Sequence, residues 1–350
     1  MITKIILSFL LLSTSSLPIN EKVAQSPIYE KGIMIDIARK YYSLSTLKTI
    51  VDEIKKNKGH YIQLHFSDDQ NYAIASNYLK QTRTKTNSHY LTAAELKAFI
   101  KYSNDRSIMV IPDIDMPAHS TSWLTKVKPR LKKGERITTD FDAGIVDYFD
   151  NKSAVKHSKA LLSEVMTQFK QSKYNGRQRI VIGGDEVAGA HQHQNQLIDY
   201  INQIARHSKQ SGYKPQIWND SLTSSGLNKL YKEVSILYWA QNGGKSSGSN
   251  VTVQDITNKG FNVYNYNSMS LYFIPSIKYS SASIKEQSRY IQKYYTPYTF
   301  HQNNRFYDAV TTTRSSGSAL SFWGDSAKGM TQKQLLAQEL PLIKVFLSSK

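Results

Sequence analysis

Arg179-Ile180-Val181-Ile182-Gly183-Gly184-Asp185-Glu186 reads as a short apolar strand that stops at two glycines and delivers two adjacent carboxylates. The apolar run is continuous rather than alternating, as expected of a strand covered on both faces in a parallel sheet. Glycine lets the backbone turn tightly and approach a ligand. Within a regular strand Asp185 and Glu186 would point to opposite faces, so both reach one site only where the strand is ending. Carboxyls this close also oppose each other's ionisation, which pushes one pKa upward and keeps a general acid protonated near neutrality. The same pair suits a helix N-terminus, where the macrodipole favours acids. Spacing alone leaves both readings open.

Working outward, similar runs recur at 32–37, 61–66, 107–111, 215–218, 234–239, 261–266 and 318–322. Helical patterns separate them at 47–56, 93–102, 154–170, 194–210, 284–293 and 332–346, with weaker ones at 222–233 and 252–258. Polar side chains collect where the strand runs end: Asp36 and Arg39, Asp68 and Asp69, Asp113 and Asp115, Asp185 and Glu186, Asn219 and Asp220, Asn265 and Asn267, and Asp325. A (β/α)₈ barrel gathers its chemistry at the C-terminal ends of its strands. A doubly wound open sheet would concentrate it near one switch point instead. The predicted fold is therefore α/β, a single (β/α)₈ TIM barrel over 32–350. Insertions are expected at 83–90, 126–150, 242–251 and 295–314. Neither a GxGxxG nor a P-loop sequence is present, so nucleotide binding has no support.

The 350 residues are 40% hydrophobic and 21% charged, enough for a sizeable core. The absence of cysteine excludes disulfides, thiolate nucleophiles and Cys-based zinc sites. Lys4, the apolar run 5–12 and the small residues 13–16 have the order of a secretory signal peptide. Residues 1–16 are thus expected to be a signal, 17–31 a polar connector, and the protein secreted. That apolar run falls short of the ~20 residues a bilayer requires, and no membrane span is expected. The formal charge of +18 favours anionic partners such as wall polymers, extracellular DNA or head groups. The lysines are scattered, however, and the densest basic segment, 126–133, reads as a solvated loop or helix end. His191 and His193, at i and i+2, point to different sides of a helix, so no metal or other cofactor is expected.

The 182–186 segment, together with Leu64-His65-Phe66-Ser67-Asp68 and Ile111-Pro112-Asp113-Ile114-Asp115-Met116-Pro117-Ala118-His119, resembles the family 20 glycoside hydrolases, the β-N-acetylhexosaminidases. Trp218-Asn219-Asp220 and the stretches 32–39, 71–74, 260–268 and 319–324 extend the resemblance to about 32–328. It implies a retaining, substrate-assisted hydrolase of β-linked N-acetylglucosamine. Glu186 would protonate the leaving oxygen and later activate water. Asp185 would hold the acetamido N–H, and Tyr272 would donate to the acetamido oxygen. Trp218, Trp239 and Trp323 would wall the sugar, and Arg39 and Asp325 would grip its hydroxyls. Asp68 and His119 would support Glu186, and Trp123 is near enough to His119 in sequence to line an entrance. Few residues precede the first strand, which resembles barrel-only members acting on the biofilm polymer β-1,6-linked poly-N-acetylglucosamine. The alternatives are an exo-β-N-acetylhexosaminidase acting on chitin oligosaccharides or glycans, and a non-catalytic barrel that binds amino sugars. Three positions depart from the family pattern: Val181 replaces a usual His, Asp113 a usual Glu, and Gly189 an aromatic.

Overall fold

The apolar runs form parallel strands because helices cover one face of each and the barrel interior covers the other. The computed structural model describes residues 29–239, 251–300 and 315–349. Its strands are β1 (Glu30–Asp36), β2 (Tyr61–Ser67), β3 (Met109–Ile114), β4 (Arg179–Val181), β5 (Lys214–Trp218), β6 (Ser235–Tyr238), β7 (Val263–Asn265), β8 (Tyr272–Phe273) and β9 (Gly317–Phe322). Its α-helices are α1 (Leu44–Lys56), α2 (Ala93–Asp105), α3 (Thr121–Val127), α4 (Lys152–Gln168), α5 (Gln194–Gln210), α6 (Ser224–Lys229), α7 (Val253–Asn258), α8 (Ser281–Tyr294) and α9 (Gln332–Ser348). The strands pair in sequence from β1 to β7, then to β9, and β9 pairs back to β1. Eight parallel strands thus close the expected (β/α)₈ barrel, with β8 lying against β9 as an addition.

β1 starts at Glu30, earlier than the sequence pattern suggests, because Glu30 and Lys31 pair with Gly317 and Ser318 and belong to the closing seam. The expected signal and most of the connector, 1–28, lie outside the described residues, as do most of the insertion at 242–251 and the later part of that at 295–314.

Period-two alternation sorts the side chains. Met34, Tyr61, Ile111, Val181, Trp218, Leu237, Tyr266 and Ala319 form one buried cluster inside the barrel. Ile33, Ile35, Leu64, Ile180, Ile217, Ile236 and Leu320 belong to a larger cluster between sheet and helices. Each large apolar side chain so buried contributes about 1.5–3 kcal/mol. Trp123 is fully buried in the outer cluster and therefore packs against the core; it does not line an entrance. The basic segment 126–133 is the end of α3 and a 3₁₀ turn, with its lysines exposed.

The strand that sequence reading misses is β8. β7 pairs with Gly317 and Ser318 in the lower half of β9, then the chain leaves the wall. It returns as Tyr272 and Phe273, which pair with Ser321 and Phe322 above. Two short strands thus share one flank of β9, and the upper one carries Tyr272.

Candidate active site

β4 ends at Val181, before the two glycines. Gly183 and Gly184 take φ of 73° and 97°, in the left-handed region. A Cβ on Gly183 would lie 2.4 Å from the Met116 backbone nitrogen, so only glycine allows this approach to the segment after β3. Glu186 follows at φ 47°, a conformation costly for a residue with a side chain. Asp220, fully buried after β5, holds it there. The Glu186 N–H donates to Asp220 Oδ2 at 2.8 Å, and the Trp239 indole N–H donates to Oδ1 at 2.8 Å. Sequence reading notes Asp220 as a strand-end acid and gives it no role, because the contact joins three different loops.

The carboxylates open onto a cavity of about 300 Å³ lined by Arg39, His119, Asp185, Glu186, Trp218, Trp239, Tyr272, Ile274, Trp323 and Asp325. Every site residue expected from the sequence except Asp68 lies on this wall. The Tyr272 and Trp239 rings are parallel within 4°, with centroids 6.0 Å apart. Trp323 is 5.5 Å from Tyr272 and 6.1 Å from Trp218, both tilted. Asp185 Oδ1 is buried without a hydrogen-bond partner, an uncommon state for a carboxylate oxygen.

Arg39 is caged by Asp36 at 3.0 Å, Asp68 at 2.6 Å and Asp325 at 3.6 Å. Burial opposes its charge, but these acids prevail and raise its pKa. Asp68 Oδ2 meets Arg39 and the His65 ring (3.0 Å) and Oδ1 accepts from the Asp69 N–H at 2.6 Å, so its contacts go to them and not to Glu186. Support for Glu186 falls to His119, whose Nε2 lies 3.3 Å from Oε2 while Nδ1 faces Asp69 at 3.4 Å. Burial disfavours the imidazolium, yet hydrogen bonds to Asp69 and Glu186 push its pKa up to about 12. Asp69 falls to about 2, chiefly through the His119 hydrogen bond.

The two neighbouring carboxyls divide in the sense opposite to that expected of a raised general acid. The His119 hydrogen bond holds Glu186 below its ordinary value. Burial raises Asp185 to about 6, with His119 pulling the other way. Tyr272 is pushed well up by burial and then by Asp185, so its hydroxyl keeps its proton. Behind the wall, Gln63 donates to Asp113 at 2.7 Å and the His65 Nδ1 lies 3.2 Å from it. Where the family usually has Glu, the shorter Asp113 thus meets both neighbours through Oδ2 alone and leaves Oδ1 buried without a hydrogen-bond partner, and Val181 packs inside the barrel. His65, Asp68 and Asp115, and likewise Asp68, Asp69 and His119, are close enough to share an ion. Both groups are tied together by histidine and arginine contacts, which supply the positive charge a cation would bring.

The family model described as glycosyl hydrolase family 20, catalytic domain, matches residues 30–336. The chain belongs to glycosyl hydrolase family 20. Family 20 is a family of glycosidases, and a crystal structure of dispersin B superposes with a TM-score of 0.82 at 26% identity, covering 92% of this chain and 99% of that one. A pneumococcal StrH structure shares the fold at TM-score 0.72 and 22% identity, over 91% of this chain and 83% of that one. The β-hexosaminidase subunit beta of Mus musculus is 31% identical over 116 residues, 32% of this chain and 22% of that protein. Lacto-N-biosidase of Bifidobacterium bifidum is 25% identical over 286 residues, 76% of this chain and 24% of that protein. The chain therefore matches a quarter or less of the length of these two curated relatives. Among the described residues, no helix is long and apolar enough to cross a membrane.

Proposed function

We propose that this family 20 chain hydrolyses β-linked N-acetylglucosamine with the substrate's own acetamido oxygen as nucleophile and with retention at the anomeric carbon. The observation that carries the reading is Asp185 Oδ1, buried and unpartnered on an aromatic wall beside Glu186. An acetamido N–H supplies the missing donor, and Asp185, once ionised, offsets the positive charge that develops on the acetamido group. The protonated Tyr272 hydroxyl donates to the acetamido oxygen and orients it for attack. Trp218, Trp239 and Trp323 suit the methyl group and the apolar sugar face. Arg39 and Asp325 offer a donor and an acceptor to hydroxyls. Glu186 protonates the leaving oxygen and later activates water. A bound sugar strips water from its carboxylate and so raises a pKa that the open site holds low.

The substrate we propose is β-1,6-linked poly-N-acetylglucosamine of biofilm matrix. The likeness to dispersin B over nearly all of both chains supports it. The mouth also carries the half-exposed acids Asp69, Glu186 and Asp325 against the cations His119 and Arg39, a patch without the positive excess of a chain of charge +18. Such a patch suits a polymer made cationic by partial deacetylation. Export by the 1–16 segment, and association of the basic surface with wall polymers or extracellular DNA, belong to the same proposal. Exo-hydrolysis of chitin oligosaccharides or glycans is the second reading, favoured by the hexosaminidase relatives.

Purified protein incubated with β-1,6- and β-1,4-linked N-acetylglucosamine oligomers decides between them. Cleavage of the β-1,6 series with β-configured first products, lost in Glu186→Gln, is the expected result. Turnover of the β-1,4 series alone selects the second reading. Saturable binding without turnover of either overturns the enzymatic proposal in favour of an amino-sugar-binding barrel.

A further inference from the structure

We infer that Phe141 is a stacking platform for the sugar on the leaving-group side of the cleaved bond, an inference that rests on the proposed function. Phe141 stands at the tip of the 138–146 hairpin, where Thr138 and Val146 bridge antiparallel. The tip is tightly wired: the Thr139 hydroxyl donates to the Asp142 carbonyl at 2.7 Å, and the Gly144 N–H donates to Asp142 Oδ1 at 2.7 Å. The Ser120 N–H donates to the Gly144 carbonyl at 3.1 Å, fixing one side of the hairpin beside His119. On the other side, a Cβ on Gly189 would lie 3.8 Å from the Phe141 ring, so that ring stands against the segment that follows Glu186. The Tyr148 hydroxyl donates to the Ala188 carbonyl at 2.8 Å and locks the same junction.

Phe141 is 54% exposed, although Phe149 braces it edge-on at 6.2 Å. Phe149 in turn stacks on Tyr148 at 4.4 Å, so the Phe141 ring is braced while about half of the residue stays exposed. A single exposed aromatic is ordinary on a protein surface. Among the other exposed large hydrophobics Ile274 lines the cavity itself, but it has no aromatic face, whereas Phe141 is an exposed ring set against the segment that follows Glu186. Glu186 protonates the leaving oxygen, and its side chain is 53% exposed, whereas Asp185 is only 14% exposed. The departing residue therefore lies on the open side of Glu186, which this hairpin borders. A pyranose offers an axial C–H face that packs on an aromatic ring, and a ring already immobilised gives up little entropy on contact.

The test compares Phe141→Ala and Phe141→Tyr with the unsubstituted enzyme on a β-linked N-acetylglucosamine trimer. Competitive inhibition by free N-acetylglucosamine, which needs only the aromatic-walled cavity, is measured in parallel. Phe141→Ala is expected to lower kcat/KM about three- to tenfold, mainly through KM, while Phe141→Tyr stays within about twofold and the inhibition constant does not move. Unchanged kcat/KM in Phe141→Ala overturns the inference while leaving the proposed function standing. A parallel weakening of N-acetylglucosamine binding also overturns it, since the change would then be a general disturbance of the cavity. If the unsubstituted enzyme does not cleave the trimer, the proposed function fails, and this inference falls with it.

Discussion

Arg39 and Arg179 stand at opposite mouths of one barrel and are kept charged by different means. Arg39, at the C-terminal mouth, is caged by Asp36, Asp68 and Asp325 and still has 14% of its side chain exposed beside the cavity. Arg179 opens β4 at the other end with only 4% exposed. Its guanidinium lies over Tyr61 and Tyr264, at 4.3 and 4.9 Å from the ring centres, with Glu30 as its carboxylate partner among the described residues at 3.1 Å. Carboxylates leave a guanidinium's remaining N–H groups available, whereas aromatic faces cover it. One mouth is thus arranged to receive a ligand and the other to be plugged, the division of labour expected of this fold.

Substitutions can break that contrast. Glu186→Gln is expected to reduce kcat on a β-N-acetylglucosaminide by about 10²–10⁴, measured by steady-state hydrolysis, with little change in melting temperature. Arg179→Ala should do the reverse. Lost packing and cation–π contact cost about 2–4 kcal/mol in denaturant unfolding, while kcat/KM stays within about twofold. Arg179→Ala with intact stability and lost turnover would erase the distinction between the two mouths.

Asp185 sharpens the contrast, because catalysis and stability conflict there. Its folded pKa of about 6 exceeds the ordinary 3.8, so ionising it costs the folded state stability as pH rises from about 4 through 6. Asp185→Asn should therefore raise stability at neutral pH by about 1–3 kcal/mol while abolishing turnover. Calorimetry at pH 4 and pH 7 checks this, since the gain should vanish at the lower pH. The smallest effect is expected at His119, whose charge favours ionised Asp185. In His119→Asn the acid limb of the kcat/KM profile, set near pH 6 by Asp185, should move to higher pH.

Much of the fold was legible because burial on both faces leaves continuous apolar runs, and the helices between them are strongly periodic. The ends of these runs also exposed the site, since the barrel collects the polar residues at one mouth. What was not legible depends on contacts between loops. Asp220 bridges Glu186 and Trp239, and Asp69 steadies His119, yet neither pairing leaves a sequence period. The ordering of the two acidities also escaped, because adjacency alone does not say which carboxyl the histidine will contact. Trp123 was read by its nearness to His119 in sequence, but helix α3 turns it into the core. β8 is too short to produce any pattern.

The split flank of β9 has a consequence for how such a pocket can diversify. β9 is zipped to β1 through six consecutive pairs, from Glu30 with Gly317 to Ile35 with Phe322, so the seam there stays shut without help from the upper half of the neighbouring slot. Tyr272 hangs on a separate rung whose height is set by the connection between β7 and β8. Lengthening or trimming that connection would raise or lower the phenol against Asp185 as a tuning peg alters a string, leaving the frame of the instrument untouched.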